Sequence, residues 1–294
     1  MDIQEGFMPF GEYQTYYRVV GDLQAGPTPL LLLHGGPGST HNYFESFDQL
    51  AVKTGRPIVM YDQLGCGQSS MPSDDSLWQA STWVAELQAL RNYLGLKRVH
   101  LLGQSWGGML AIIYLCDHQP AGIQSLILAS TLSSAKLWQQ EQHRMIRFMS
   151  AADQAAIAQA EASGDYTGPA YLAANERYML AHAAGPVTAD SPEFLRRSKC
   201  SGTAAYSVAW GPNEYCPTGT LQAYDYTAKL AEITTPTLVT SGTNDLSTPL
   251  VAKTMVDHLP HAEWSLFAHS RHMAFIDEPT AYFERLTRWL AAHD

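Results

Sequence analysis

Short apolar runs recur along the chain at residues 29–33, 57–61, 99–102, 123–129, 236–240 and 264–267, each bounded by Gly, Pro or polar turn residues. Runs of this length that are apolar at every position suit strands covered on both faces, the condition of a parallel sheet. Helical patterns lie between them. After Ser81, Val84, Leu87, Leu90 and Leu94 make one apolar stripe that stops at Gly95, and Phe283, Leu286 and Leu290 make another near the end. Strand and helix in alternation predict an α/β fold: a mostly parallel central sheet with helices on both faces.

One stretch breaks the alternation. Residues 133–232 are rich in Ala, Gln and Met, keep helical spacing and offer few strand-like runs. The expectation is a core built from residues 1–132 and 233–294, with a helical cap inserted between its fourth and fifth predicted strands. A lid over a site is one reading of the cap; a packing domain unrelated to any site is the other.

The chain has 294 residues, 46% of them hydrophobic, enough for a large core. Its formal net charge of -10, with Lys and Arg scattered, gives no electrostatic footprint for nucleic acid or an anionic membrane. The four cysteines (Cys66, Cys116, Cys200, Cys216) show no CxxC pairing and suit a reducing compartment. No run approaches the ~20 apolar residues of a membrane span, and the first residues lack the pattern of a secretory leader. A soluble, cytoplasmic protein is expected.

Chemistry concentrates at the ends of the predicted strands. Gly103-Gln104-Ser105-Trp106-Gly107 follows Val-His-Leu-Leu and precedes an apolar helical pattern. A strand that turns so sharply into a helix needs small flanking residues and lifts the serine oxygen above the sheet, so Ser105 is the candidate nucleophile rather than a plain turn residue. A serine needs a base, and the base an acid to orient it. In the order Ser, acid, His, the run TPTLVTSGTNDLSTP offers Asp245 and the run WSLFAHSRHMAF offers His269 and His272. Taken alone, Asp245 would be an ordinary turn aspartate; its place in the series makes it the acid. His272 is preferred as the base because Met273-Ala274-Phe275 and a helix beginning near Pro279 follow it, whereas His269 reads as a solvated strand-end residue. No third ligand accompanies the H-x-x-H spacing, so no metal site is expected. The other histidines, His118 and His258 among them, read as surface or packing residues.

An oxyanion needs N–H donors. His34-Gly35-Gly36-Pro37-Gly38 lets the backbone turn its N–H groups inward, and Trp106 begins a helix whose first N–H groups lack internal partners. Gly36 and Trp106 are the expected donors. The loop matches neither GxGxxG nor GxxxxGK[ST], so a phosphate site is not expected.

Taken together, HGGPG, YDQLGCGQSS, GQSWGG, WGPNEY, SGTNDLSTP and His272 resemble the proline iminopeptidases, prolyl aminopeptidases of the α/β-hydrolase superfamily. The likeness spans nearly the whole chain. It implies the α/β-hydrolase fold with a helical cap, no cofactor, and release of an N-terminal residue, typically proline, from small peptides or amino-acid amides with a free N-terminus. An amino-acid amidase or esterase would use the same triad; a non-enzymatic ligand receptor on this fold is the remaining alternative. An aminopeptidase site needs a carboxylate for the substrate's cationic amine, and Glu214 in Trp210-Gly211-Pro212-Asn213-Glu214 is the candidate. Some relatives carry a second acid directly after the catalytic aspartate. Here that position is Leu246, so a second carboxylate would have to come from a residue such as Asp225 or Glu176. Cys66, between two glycines, is expected to be padding near the site, with bulky thiol reagents slowing the enzyme; Asp62 in the same turn is expected to be structural.

Overall fold

A computed structural model describes residues 2–294. Eight strands form one sheet: β1 (Ile3–Phe10), β2 (Tyr13–Val20), β3 (Leu30–Leu33), β4 (Ile58–Tyr61), β5 (Val99–Gln104), β6 (Ile123–Ala129), β7 (Thr237–Gly242) and β8 (Ala262–Phe267). Their order is β1-β2-β4-β3-β5-β6-β7-β8, antiparallel at the first two pairings and parallel from β4 onward.

The apolar runs are apolar throughout because alternate residues serve opposite helix layers. In β3, Leu31 and Leu33 join one core cluster while Leu30 and Leu32 join the other. The first layer is made by α2 (Ala80–Tyr93), α3 (Trp106–His118) and α9 (Pro249–His258), through Leu87, Leu90, Leu110, Ile112, Val251 and Met255. The second is made by α1 (Asp48–Thr54), α10 (Ala274–Asp277) and α11 (Pro279–Ala292), through Leu50, Phe275, Phe283, Leu286 and Leu290. All four β3 leucines are fully buried. At about 1.5–3 kcal/mol each, they contribute strongly to holding the sheet between its layers.

Between β6 and β7 run α4 (Ala135–Ile146), α5 (Ala151–Ser163), α6 (Pro169–His182), α7 (Glu193–Arg196) and α8 (Thr203–Ala209), and no named strand. Side chains cap three of the helix starts: Ser134 accepts from the Leu137 N–H, Ser150 from Asp153 and Thr248 from Val251.

The predicted strands are present, with β5 and β7 longer than expected because parallel pairing continues to Gln104 against Ala129 and to Gly242 against Phe267. The N-terminal hairpin was not anticipated. In β1 only Met8 is buried, as befits an edge strand, and the apolar run of β2 is interrupted by buried polar residues satisfied from far away. Arg18 makes a bidentate pair with Asp48 at 2.8 and 2.7 Å, and the Thr15 hydroxyl donates to Glu86.

Glu86 is wholly buried, and that burial lifts its carboxyl to about 8 despite the bonds it accepts from Thr15 and the Leu64 N–H. Between its ordinary value of 4.5 and about 8 the folded chain keeps a proton that the unfolded chain releases, so stability falls as pH rises through that window. Glu86→Gln cannot ionise. It is expected to gain about 4 kcal/mol relative to wild type between about pH 5 and about pH 9 in urea titrations, and an unchanged difference would mean that the carboxyl is charged in the folded protein throughout.

Candidate active site

β3 leads to β4 on one side of the sheet, and β5 leads to β6 on the other. The carboxyl ends of β3 and β5 therefore flank the point where chain direction across the sheet reverses, the usual ligand crevice of an open α/β sheet. The loop after β3 is His34-Gly35-Gly36-Pro37-Gly38, and the residue after β5 is Ser105.

Ser105 sits at φ 55° and ψ −122°, a conformation that non-glycine residues adopt only where the surroundings enforce it. Those surroundings are dense. The Ser105 N–H donates to Ala129 O at 3.0 Å, and its carbonyl accepts from the Thr131 hydroxyl at 2.6 Å and from the Gly108 N–H at 2.9 Å. A Cβ at Gly103 would collide with the Gly107 carbonyl, and one at Gly107 with the Leu33 carbonyl. The elbow is thus tight enough to exclude side chains on both flanks, while Ser105 itself stays partly exposed between buried neighbours.

Asp245 and His272 come together in the loops after β7 and β8. His272 Nδ1 lies 2.6 Å from Asp245 Oδ1. The carboxylate is almost completely buried and accepts three further bonds: the Ser130 hydroxyl at 2.6 Å, the Gly242 N–H at 3.0 Å and the Ser247 N–H at 2.8 Å. With every oxygen engaged, the acid has one orientation, and the imidazole donates Nδ1–H to it, leaving Nε2 as the acceptor. Ser105 and His272 line one cavity of about 480 Å³, together with Gly36, Glu214 and Leu246. His269 is exposed, its N–H bonded to Glu278.

Gly36 has φ +115°, and a Cβ there would approach the N atoms of Gly38 and Ser39 at 2.5 and 2.7 Å. Only glycine fits. Trp106 occupies the first position of α3, where its N–H has no intrahelical acceptor. Two buried networks join these donors to the rest of the site. The Gly35 N–H donates to Tyr43 Oη at 2.7 Å, Tyr43 donates to Gln104 at 2.9 Å, and Gln104 donates to the His272 carbonyl at 3.4 Å. The Trp106 indole donates to Gln63 Oε1 at 2.8 Å, and Gln63 donates to the His34 carbonyl and, through its backbone N–H, to His34 Nε2. Burial lowers His34 to about 4, so its ring is neutral and Nδ1–H donates to Gly35 O.

Glu214 faces both this cavity and a second of about 470 Å³. Burial raises its pKa, opposed by nearby His272 and by the Tyr206 hydroxyl, which donates to Oε1 at 2.9 Å. The Trp138 indole holds the Glu214 carbonyl at 2.7 Å. Neither Asp225 nor Glu176 supplies a second carboxylate here. Both are exposed and absent from the cavity wall; Asp225 is turned to Ser134 and the Thr227 N–H.

Cys66 is completely buried, with Sγ 3.4 Å from His34 Nε2, and burial pushes its thiol far above the ordinary value. Padding behind the site is the right description. Sensitivity to bulky thiol reagents does not follow, because neither access nor thiolate is available there. Asp62 is structural as expected: burial opposes its charge, yet bonds from the His41 ring and N–H hold its pKa below the usual carboxylate value.

Sequence reasoning missed Ser130, Gln104, Tyr43 and Tyr206. Ser130 could have been suspected as a polar residue ending an apolar strand; the others show no local signal, because their partners lie on other elements.

The α/β-hydrolase family model matches residues 28–279. A proline iminopeptidase of Levilactobacillus brevis is 78% identical over all of this chain and 98% of its own length, and that of Lactiplantibacillus plantarum is 73% identical over 98% of this chain and all of its own. This chain belongs to the proline iminopeptidase family. The crystal structure of the Mycobacterium smegmatis proline iminopeptidase superposes with a TM-score of 0.87 at 32% identity, covering 99% of this chain and 98% of its own. VinJ superposes with a TM-score of 0.91, also at 32% identity, with 99% of each chain covered. Membership makes the chain a hydrolase. Among the described residues no helix is long and apolar enough to cross a membrane.

Proposed function

We propose that this protein is a cytoplasmic serine aminopeptidase that releases an N-terminal residue, preferentially proline, from small peptides through an acyl-enzyme. Ser105 Oγ attacks the first peptide carbonyl while His272 Nε2 takes its proton; Asp245 stabilises the imidazolium. The Gly36 and Trp106 N–H groups hold the oxyanion. Collapse breaks the C–N bond, His272 returns the proton to the leaving amine, and water repeats the sequence on the ester to free the amino acid and regenerate Ser105. Residues 133–232 act as the cap, supplying Glu214 to bind the substrate's amine.

The observation that carries this reading is Glu214: a carboxylate without a cationic partner, inside the cavity that Ser105 and His272 line. An esterase or general amidase has no need of an acid there. Rates on prolyl, alanyl and leucyl aryl amides, beside an N-blocked prolyl amide, test the reading. Fast cleavage of the free prolyl substrate is expected, and equal rates on blocked and free substrates would leave a general amidase or esterase.

Ser130 is a positioning residue for Asp245. Ser130→Ala is expected to lower kcat about 3- to 10-fold with little change in KM, because the carboxylate loses one of two bonds at Oδ2. An unchanged kcat in a stably folded variant would remove that role.

A further inference from the structure

We propose that Lys199 receives the C-terminal carboxylate of short peptides, so that the site selects zwitterionic di- and tripeptides over substrates whose C-terminus is blocked. The proposal rests on the aminopeptidase reading and names the substrate class that the reading leaves open.

Five acidic or basic side chains line the cavity: Glu214, Asp277, Arg271, His272 and Lys199. Asp277 and Arg271 neutralise each other through bonds of 2.7 and 3.1 Å, and Arg271 also donates to the Leu180 carbonyl. His272 is engaged by Asp245. Glu214 and Lys199 remain. The neighbouring cations differ from Lys199: Arg197 is paired with Glu45 and Glu193, and Arg196 donates to the Ser191 carbonyl. Lys199 forms no ion pair among the described residues, and partial desolvation alone shifts its pKa, downward.

The two unpaired charges differ in setting. Glu214 lies where the two cavities meet, whereas Lys199 lines only the first and is exposed to solvent. Apolar residues including Ala183, Val187, Leu195 and Ile276 line the same cavity. The backbone just beyond Lys199 is pinned to the site's own loops, since the Gly202 N–H donates to Gly38 O at 2.7 Å and the Gly67 N–H donates to Cys200 O at 2.8 Å. Lys199 is therefore held beside the oxyanion loop rather than on a free strand of chain. A cavity of about 480 Å³ lined by a half-buried anion, a solvent-exposed cation and apolar walls complements a short peptide that carries both terminal charges. On a chain of net charge -10 an approaching carboxylate is otherwise repelled, which gives one uncompensated, solvent-exposed cation on the cavity wall a defined use.

The experiment compares kcat/KM for Pro-Ala with that for Pro-Ala amide, using the full-length protein. Wild type is expected to favour the free acid. Lys199→Gln should reduce the acid-to-amide ratio about three- to fivefold, the size of one partly solvated ion pair, and the change should fall in KM. Lys199→Arg should restore the ratio, Lys199→Glu should invert it, and added salt should weaken the wild-type preference. A ratio that is the same in wild type and Lys199→Gln overturns the proposal. A prolyl aryl amide, which has no carboxylate, separates the two levels of argument: if wild type fails to cleave it, the aminopeptidase reading fails, and if it is cleaved while the ratio ignores Lys199, only the present inference fails.

Discussion

Ser105→Ala is expected to lower kcat on a prolyl aryl amide by about 10⁵-fold or more and to abolish labelling by a fluorophosphonate reagent. The size follows from the chemistry. Without Oγ no acyl-enzyme forms, and what remains is the help that the oxyanion donors and substrate positioning give to direct attack by water, about 10³–10⁴ over solution in comparable sites. The same argument predicts non-additivity: combining Ser105→Ala with His272→Ala should cost little more than either change alone, because the proton acceptor has nothing to act on once its donor is gone. Stability should not follow activity. Alanine keeps the Cβ that makes φ 55° costly, so loss of the hydroxyl alone is expected to leave the melting temperature near that of wild type. Retention of labelling in Ser105→Ala would place the nucleophile elsewhere and remove the mechanism.

Much of this site was legible because its parts sit at strand ends. Ser105, Asp245 and His272 each follow an apolar run that can be recognised by its own composition, and the parallel sheet then brings those carboxyl ends to one edge. Glycines gave the same kind of local signal: Gly103, Gly107 and Gly36 are explained by contacts a Cβ could not survive. The illegible parts are those whose meaning is tertiary. β2 hides Thr15 and Arg18 inside a buried strand because Glu86 and Asp48, far away in sequence, satisfy them. Ser130, Gln104 and Tyr43 orient the site through partners on other elements; Ser130 at least ends an apolar strand with a polar residue, whereas nothing local marks out Gln104 or Tyr43. The 133–232 segment is the extreme case. Its helices could be read from spacing, but which acid it delivers depends on packing: Glu214 reaches the cavity, whereas Asp225 and Glu176, equally acidic in sequence, stay on the surface.

Glu214→Gln is therefore expected to separate amine recognition from hydrolysis. Burial raises the pKa of the Glu214 carboxyl, so the unliganded site holds an anion at an energetic disadvantage that an incoming ammonium relieves. Removing that charge while keeping the shape and the Tyr206 bond should lower kcat/KM for a free prolyl substrate about 30- to 1,000-fold, corresponding to about 2–4 kcal/mol for one side of a desolvated charge pair. The N-blocked prolyl amide carries no ammonium, so its rate should change far less and the discrimination between the two substrates should collapse. The pH profile gives an independent reading with a definite sign. Only the ionised carboxylate attracts the amine, so kcat/KM for the free substrate should fall as pH drops through the raised pKa of Glu214, and Glu214→Gln should lose that part of the acid limb. Equal loss on free and blocked substrates would instead mean that Glu214 supports the fold of the cap, and that the amine is recognised by some other group.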